Sequence, residues 1–362
     1  MGRANYALVK LRTEALQALG HEVTVASLHT DGALLDSYPL AGRGPRPLRL
    51  LLAIRNARRL LRQLHPDIVD AHGATSYGLI AALAAGTTPY LLTIHGTDLY
   101  DHANDSRILA AFAKTALRRA RWLYASSESI LVDVERFIGP IDPSSTRCFP
   151  FGIPLRDDIL HDDVGAIREQ LTTPENAFVV IHPRQISNHW RLEWIVDRLG
   201  ELTERSDRQV ELWLVYTSPS AAQTEYLRQI LARCQDANVA VRDIGPLPYE
   251  DLMRHLAASD VFVCAARREM LANSFLEAMY YGALPVVSDV DAFRTAARWD
   301  GANVHLVSPD DELGWRGALD AVASLAPEKR RIAAAGNRTA VIENAELMTV
   351  VNRLFTSLTE NV

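Results

Sequence analysis

The sequence predicts an α/β protein built from two doubly wound halves. Helical and strand-like segments alternate along almost the whole chain, which implies parallel sheets flanked by helices. Runs such as Phe178-Val179-Val180-Ile181 are continuously apolar, as strands buried on both faces must be. The 362 residues suit two domains, at roughly 100–200 residues each.

Taken in order, a helical stretch from Ala4 to Leu19 ends at Gly20, a C-cap signal, and the β-branched strand Val23–Leu28 follows. A helix through 48–64, the strand Asp67–His72, a helix through Leu79–Ala85 and the strand Pro89–Ile94 come next. A helix over 106–120, the strand Trp122–Ala125, a helix through Ile130–Phe137 and the strand Arg147–Phe149 close the first half at Phe149-Pro150-Phe151-Gly152. After a polar, acidic connector (Arg156–Asp163) the alternation restarts. Strands are expected at Phe178–His182, Val210–Tyr216, Val239–Ile244, Asp260–Cys264, Leu284–Val287 and Asn303–Val307, and a last helix at 343–358. The expected domains are residues 1–153 and 154–340, with 341–362 crossing back to the first.

One feature breaks the pattern. A doubly wound domain opens on a strand that lies inside its sheet, and this chain opens almost directly on a helix, with Gly2-Arg3-Ala4 at the turn position. The first strand is therefore expected to be missing, its residues encoded upstream or clipped away.

Composition excludes several classes. A hydrophobic content of 48% with 23% charged residues is ordinary for a globular chain and excludes wholesale disorder. No apolar run approaches the roughly 18–20 residues of a membrane span. Cys148, Cys234 and Cys264 show no paired spacing, which fits a reducing cytosol rather than a disulfide scaffold or thiolate zinc site. The net charge of −6 hides a basic N-terminal stretch: between Asp36 and Asp67 stand Arg43, Arg46, Arg49, Arg55, Arg58, Arg59 and Arg62 and no acid. Only Lys10, Lys114 and Lys329 are lysines.

The segment richest in chemistry runs from Asp260 to Val287 and reads strand, loop, helix, Gly cap, strand. Glu269 and Glu277 stand eight apart, a spacing that chance alone supplies about once among this many glutamates. Ser274-x-x-Glu277 also reads as a capping box, which needs no ligand. Their place is more telling. The two carboxylates flank a helix N-terminus after a strand's C-terminal end, where open α/β sheets bind ligands. The first-turn amides of residues 271–274 would meet an anion there, with a carboxylate on either side for sugar hydroxyls.

This segment resembles the Glu-x7-Glu motif of family 4 glycosyltransferases, the retaining nucleotide-sugar transferases of GT-B fold. It is similar to the variant with Asn273-Ser274 before the second Glu and Gly282-Ala-Leu-Pro285-Val-Val after it. Four further stretches agree in order: Gly20-His-Glu-Val-Thr-Val25, Asp67-Ile-Val-Asp-Ala-His72, Thr93-Ile-His-Gly-Thr-Asp98 and Phe149-Pro-Phe-Gly-Ile153. The likeness covers nearly the whole chain and lacks only the first strand.

The resemblance implies two Rossmann-like domains facing a cleft, the acceptor site in the first and the donor site in the second. It assigns Glu277 to the ribose hydroxyls and Glu269 to the transferred sugar. Amides of Leu271, Ala272 and Asn273, with Ser274, would meet sugar and diphosphate. His95 would lie near the donor sugar, Gly96 allowing close approach, with Gly2, Arg3 and His72 on the acceptor side. For the diphosphate the family uses an Arg and a Lys after the second domain's first strand. Arg184 fits the Arg, His189 stands at the Lys position, and Arg184 with His189 or Arg191 is the expected cationic set. Catalytic weight falls on His95, Glu269 and Arg184.

The remaining readings narrow the class. Pyridoxal chemistry needs a lysine near a strand end, and Lys329 is poorly placed for it. Asp289-Val290-Asp291 has the form of a metal-anchoring motif but reads as a strand–helix turn with Asp291 as N-cap. No metal and no cofactor are expected beyond the nucleotide diphosphate sugar. Between 48 and 64, Leu50, Ile54, Ala57, Leu61 and Leu64 share one helical face with arginines mainly off it. That stretch reads as a sheet-packed helix with a solvated face, or as a peripheral contact with anionic membrane through Arg43–Arg62. Nucleic acid is not expected, since the rest of the chain is acidic. The expected function is retaining, metal-independent glycosyl transfer to a glycan, lipid-linked or small-molecule acceptor, in the cytoplasm or at the inner face of the membrane. The alternatives are an inactive or truncated nucleotide-sugar binder, or another GT-B enzyme such as a nucleotide-sugar epimerase.

Overall fold

Among the described residues three parallel sheets organise two units: a two-stranded and a four-stranded sheet in Met1–Pro154 with Leu347–Val362, and a six-stranded sheet in Leu155–Glu346. The computed structural model describes all residues except 5, 30–33, 42–44, 97–98, 100–105, 161–163 and 360–362. Arg43, Thr97 and Asp98, singled out above, lie outside the described residues, as does the end of the expected connector.

In the first unit, helix α1 (Ala7–Ala18) precedes the short strands β1 (Ala26–Ser27) and β2 (Tyr38–Pro39), which pair parallel. Helix α2 (Arg46–Leu64) leads to β3 (Val69–His72), α3 (Ser76–Ala84), β4 (Tyr90–Thr93), α4 (Arg107–Arg119), β5 (Trp122–Ala125), α5 (Glu128–Ile138) and β6 (Thr146–Cys148). Strands β3-β4-β5-β6 form one parallel sheet in that order. Between β1 and β3 only Met1–Gly2 bridges: Gly2 N–H donates to the Ala26 carbonyl (3.2 Å) and His72 N–H to the Met1 carbonyl (2.9 Å). Among the described residues no strand precedes α1, and Met1–Gly2 makes the backbone bonds between β1 and β3. This also explains why β1 covers Ala26–Ser27 rather than the predicted Val23–Leu28: a strand segment without a neighbour makes no ladder.

The second unit contains the short helices α6 (Asp157–Leu160) and α7 (Val164–Gln170), so the connector carries structure that its polarity concealed. Then follow β7 (Phe178–His182), α8 (Leu192–Thr203), β8 (Val210–Val215), α9 (Ala221–Asp236), β9 (Ala240–Gly245), α10 (Tyr249–Ala258), β10 (Val261–Cys264), α11 (Asn273–Tyr281), β11 (Leu284–Ser288), α12 (Asp291–Ala297), β12 (His305–Val307), α13 (Glu312–Ala323) and α14 (Pro327–Ala345). The sheet order is β12-β11-β10-β7-β8-β9, parallel throughout, with β7 inside. Phe178, Val180, Leu212, Val263 and Val286 are wholly buried in its core. Glu211 is also buried, satisfied by Thr173, the Trp213 indole N–H and Arg242 at 2.7–2.8 Å.

Helix α15 (Leu347–Thr359) belongs to the first unit, where Leu347, Val351 and Phe355 pack on Ala15 and Leu16 of α1. The expected helix over 343–358 is in fact two, broken at Glu346, whose ψ of 130° is extended. Leu347 N–H donates to the Ile153 carbonyl (3.0 Å). Gly152 beside it has φ +88°, and a Cβ there would stand 2.9 Å from Leu347 Cα, so the position requires glycine.

Two local readings are corrected. Helix α11 starts at Asn273 with Ala272 as N-cap and no side-chain cap, so Ser274-x-x-Glu277 forms no capping box. The start two residues earlier puts Ser274 inside the helix, and Glu277 turns to Tyr249 instead. Val290, not Asp291, caps α12; Asp291 is its first helical residue, and Asp289 pairs with Arg294 (2.6 Å).

Candidate functional site

In the second unit the candidate residues gather at the C-terminal ends of the two central strands. Arg184 stands two residues beyond β7, and Glu269 lies in the loop after β10. The Arg184 guanidinium meets the Glu269 carboxylate (Nη2–Oε2 3.0 Å) with both side chains nearly buried. The flat face of Arg184 lies 3.8 Å from the centre of the Trp190 ring, which fixes the plane of its fork. Arg184 Nη1 is buried and has no hydrogen-bond partner. A buried guanidinium N–H without an acceptor is costly, and an anionic ligand oxygen is the natural partner for it.

Glu277, on the inner face of α11, accepts a hydrogen bond from the Tyr249 hydroxyl (2.9 Å) at the start of α10. Burial raises its pKa to about 7, against the hydrogen bond from Tyr249 and the charge of Arg184, which lower it. Burial also raises Glu269, again opposed first by Arg184. One guanidinium therefore steadies two buried carboxylates. Glu269 Oε1 accepts from its neighbour's amide, Met270 N–H (3.0 Å). Leu271 and Ala272 are buried, and Asn273 and Ser274 are half-buried in the first turn of α11.

The remaining cations separate from this cluster. His189 is exposed and set edge-on to Trp190, 4.4 Å between ring centres, and its charge acts on Glu269. Arg191 is turned away, paired with Asp310 (3.0 Å) and stacked on Trp194 (4.5 Å). Tyr249 and Trp190 were not singled out in the sequence. Trp190, an aromatic amid His189 and Arg191, carried a local signal; Tyr249, in a separate helix, carried none.

In the first unit a second buried cluster forms at the ends of β3 and β4. His95 stacks on His72 (5.5 Å between centres, 22° between planes) and meets Tyr6 and Phe151 edge-on at 5.5 and 5.6 Å. His72 Nε2 lies 3.2 Å from Asp70 Oδ2, which also pairs with Arg12 (3.1 Å); Arg12 further donates to Thr93 (2.8 Å). Burial pushes the Asp70 carboxyl up, but the charges of His72 and Arg12 outweigh it, and the carboxyl sits well below the ordinary range. Burial lowers His72 despite the pull of Asp70, and lowers His95 still further, helped by the charges of His72 and Arg12. Both imidazoles are neutral near pH 7 and fit neutral hydrogen-bonding roles rather than ion pairing. Gly96 takes φ +75°, Gly2 is buried in the sheet, and Arg3 is exposed. Among the described residues, no group of three or more His, Cys, Asp or Glu is placed to hold a metal ion.

Two family profiles and several solved structures are similar to the chain. The family profile described as Glycosyltransferase Family 4 matches residues 9–157, and that described as Glycosyl transferases group 1 matches residues 177–324. No curated protein sequence matches the chain. Among solved structures, HepE of Anabaena in complex with UDP is 16% identical, with 92% of this chain and 88% of that one covered and a TM-score of 0.73. Sucrose-phosphate synthase of Thermosynechococcus elongatus is 19% identical over 98% and 93% of the chains, TM-score 0.76. A glycosyltransferase of Rickettsia africae is 13% identical over 98% and 94%, TM-score 0.76. At such identities the shared property is the fold. Profiles spanning most of its length, on two Rossmann-like units of GT-B type, place the chain in the group 1 (family 4) glycosyltransferases.

Proposed function

We propose that the chain transfers a sugar from a nucleotide diphosphate sugar to an acceptor hydroxyl with retention of configuration, without a metal or cofactor. The observation that carries this reading is the buried Arg184–Glu269–Glu277 cluster at the strand ends of the second unit. Arg184 Nη1 takes a diphosphate oxygen, Glu277 the ribose hydroxyls and Glu269 those of the transferred sugar. The first turn of α11, from Leu271 to Ser274, faces the phosphates with its amides. His189 is the second cation; Arg191, held by Asp310, positions the loop. Support for such a donor comes from HepE, whose structures are described as complexes with UDP and UDP-glucose.

Glu269, paired with Arg184, and Glu277, hydrogen-bonded to Tyr249, are assigned to binding hydroxyls and not to a covalent intermediate, in keeping with the mechanism usual in the family. The reading is therefore front-face attack. The acceptor oxygen bonds to the anomeric carbon as the bond to the diphosphate breaks, and the acceptor proton passes to the departing phosphate oxygen. The protein's part is to position the partners and stabilise the diphosphate charge through Arg184 and the helix N-terminus. The first unit supplies the acceptor side, with His95, Gly96, His72, Gly2 and Arg3.

The acceptor side also favours a membrane. Leu48 and Leu51 of α2 are exposed, at 51% and 66%, beside exposed Arg55, Arg59 and Arg62. Exposed leucines among arginines suit peripheral docking to an anionic leaflet, and so a lipid-linked acceptor on the cytoplasmic face.

Thermal-shift titration with UDP, GDP and ADP tests the donor reading. One diphosphate is expected to raise the melting temperature by several degrees, and Glu277→Ala to abolish the shift. No response to any of the three overturns it. Product NMR then reports the anomeric configuration, and sedimentation with phosphatidylglycerol vesicles tests α2.

A further inference from the structure

Tyr249 is the first residue of α10 and enters it from Gly245-Pro246-Leu247-Pro248. Proline fixes φ, so the two prolines stiffen the approach and set where the next side chain leaves the backbone. Arg156 holds the same turn from outside, paired with Glu250 (2.8 Å) and Asp158 (2.7 Å). Tyr249 is 36% exposed, yet its hydroxyl reaches the buried Glu277 and donates to Oε1 (2.9 Å).

That bond decides which groups are left for a ligand. A phenol carries one proton, and its oxygen also accepts. Burial, and then the charge of Glu277, raises the Tyr249 phenol, so the proton stays on through neutral pH. The proton is spent on Glu277, and Tyr249 Oη is left as an acceptor only. Glu277 Oε2, the oxygen that Tyr249 does not take, is an acceptor as well. Two neighbouring acceptors match a vicinal diol, in which both hydroxyls donate.

We propose that Tyr249 is a second ribose contact: Glu277 Oε2 accepts one hydroxyl of the diol and Tyr249 Oη the other, with the Tyr249–Glu277 bond holding the two acceptors in register. This deepens the reading of Glu277 as the ribose group and rests on it. A nucleotide that lacks either hydroxyl leaves one acceptor of the pair unmet, so the site reads the diol as a unit. The same bond bears on ionisation. Arg184 faces Glu277 from the loop after β7, Tyr249 from α10, and Tyr281 from one turn further along α11. Arg338 of α14 turns to Tyr280 instead. Both phenols are raised, first by burial, and stay neutral, which leaves Arg184 as the charge acting on Glu277. Burial raises Glu277, and the bond from Tyr249, followed by Arg184, opposes it, so removing that bond moves the carboxyl further up.

Calorimetric titration with UDP, GDP and ADP selects the diphosphate that binds. Its 2′-deoxy and 3′-deoxy forms are then titrated against wild type and Tyr249→Phe. Wild type is expected to lose about tenfold in affinity with either deoxy form. Tyr249→Phe is expected to bind the full diphosphate about tenfold more weakly at pH 7, and to bind one of the two deoxy forms as well as the full one. The midpoint of the pH dependence of binding should also move up. Each ratio is taken within one variant, so it reads out even where the substitution lowers the folded fraction. Wild-type affinity in Tyr249→Phe, or a uniform loss that keeps both ratios and the midpoint, makes Tyr249 a structural prop and overturns the proposal while the donor reading stands. Wild type indifferent to either deoxy form does the same. Failure of all three diphosphates to bind wild type overturns both.

Discussion

The strands of the two units follow a similar plan, and the units differ most at one position. In the second unit β7 lies inside the sheet, with β8 and β9 on one side and β10, β11 and β12 on the other. In the first unit β1 and β2 stand on one side and β3, β4, β5 and β6 on the other, but Met1–Gly2 alone occupies the place that β7 fills. Phe178, Val179, Val180 and Ile181 are wholly buried at that place in one unit; a cavity lies there in the other. The difference shows what an internal strand supplies. It completes two ladders, and it gives the helices on both faces something to pack on.

The sharpest way to break this contrast is core truncation. Phe178→Ala should cost the second unit about 3–5 kcal/mol, because no neighbour can fill the space. Leu16→Ala, beside the cavity, should cost the first unit nearer 2 kcal/mol, since part of its packing is already absent. Denaturant melting followed by unit-resolved hydrogen exchange measures both, and equal losses would remove the distinction.

Next in size is the functional side. Arg184→Ala is expected to lower turnover by about 100- to 1,000-fold with little change in melting temperature. Arg184→Lys should recover only part of it, because an ammonium keeps the charge and loses the fork on Trp190. A fall in melting temperature that accounts for the lost activity would make Arg184 structural.

Acidification acts on the two units through different groups. Glu277, raised to about 7, binds a proton in the folded state that the unfolded chain has released above its ordinary 4.5. Its contribution is therefore fully present at low pH and is lost as pH rises from about 4.5 to 7, by about 3 kcal/mol. His72 and His95 are lowered below 6.5, so the unfolded chain takes up their protons first, and the first unit weakens as pH falls below 6.5. From pH 7 to pH 5 exchange protection should fall in the first unit, whereas in the second the gain at Glu277 is opposed by His182, His255 and His305, all lowered by burial. Glu277→Gln, which removes the gain, should leave the second unit more sensitive to acid. Donor binding should tighten as pH climbs through 7 and Glu277 ionises.

The smallest effect concerns helix starts. Ser220 and Gln223 form a capping box at α9, so Ser220→Ala should cost about 1 kcal/mol. Ser127 at the start of α5 makes no side-chain cap bond, and Ser127→Ala should cost less than about 0.5 kcal/mol by the same measurement.

What was legible in the sequence follows the same division. Strands buried on both faces, such as Phe178–His182 and Trp122–Ala125, announce themselves as apolar runs and appear at the predicted residues. That a helix is the first element was also readable, from the helical stretch after Gly2-Arg3-Ala4. Glu269 and Glu277 were found through their place at a strand–helix junction, and Arg184 through its place after β7. Spatial pairings without a sequence period were not legible. Tyr249 reaches Glu277 from 28 residues away, and Arg12 reaches Asp70 across 58. The capping box at Ser274 failed for a related reason: four residues fit the pattern, but the buried carboxylate had a better partner elsewhere.

The return of α15 to the first unit has a consequence for the order in which the chain is made. Residues 347–359 are added last, yet they cover α1 and one side of the cavity near the amino end. The second unit is one continuous stretch and can close as soon as Glu346 has left the ribosome. The first unit, although synthesised earlier, must keep Leu16 and its neighbours uncovered until the whole second unit has passed. During synthesis the exposed, aggregation-prone surface thus belongs to the half that is made first, and that is where a chaperone has the longest time to act.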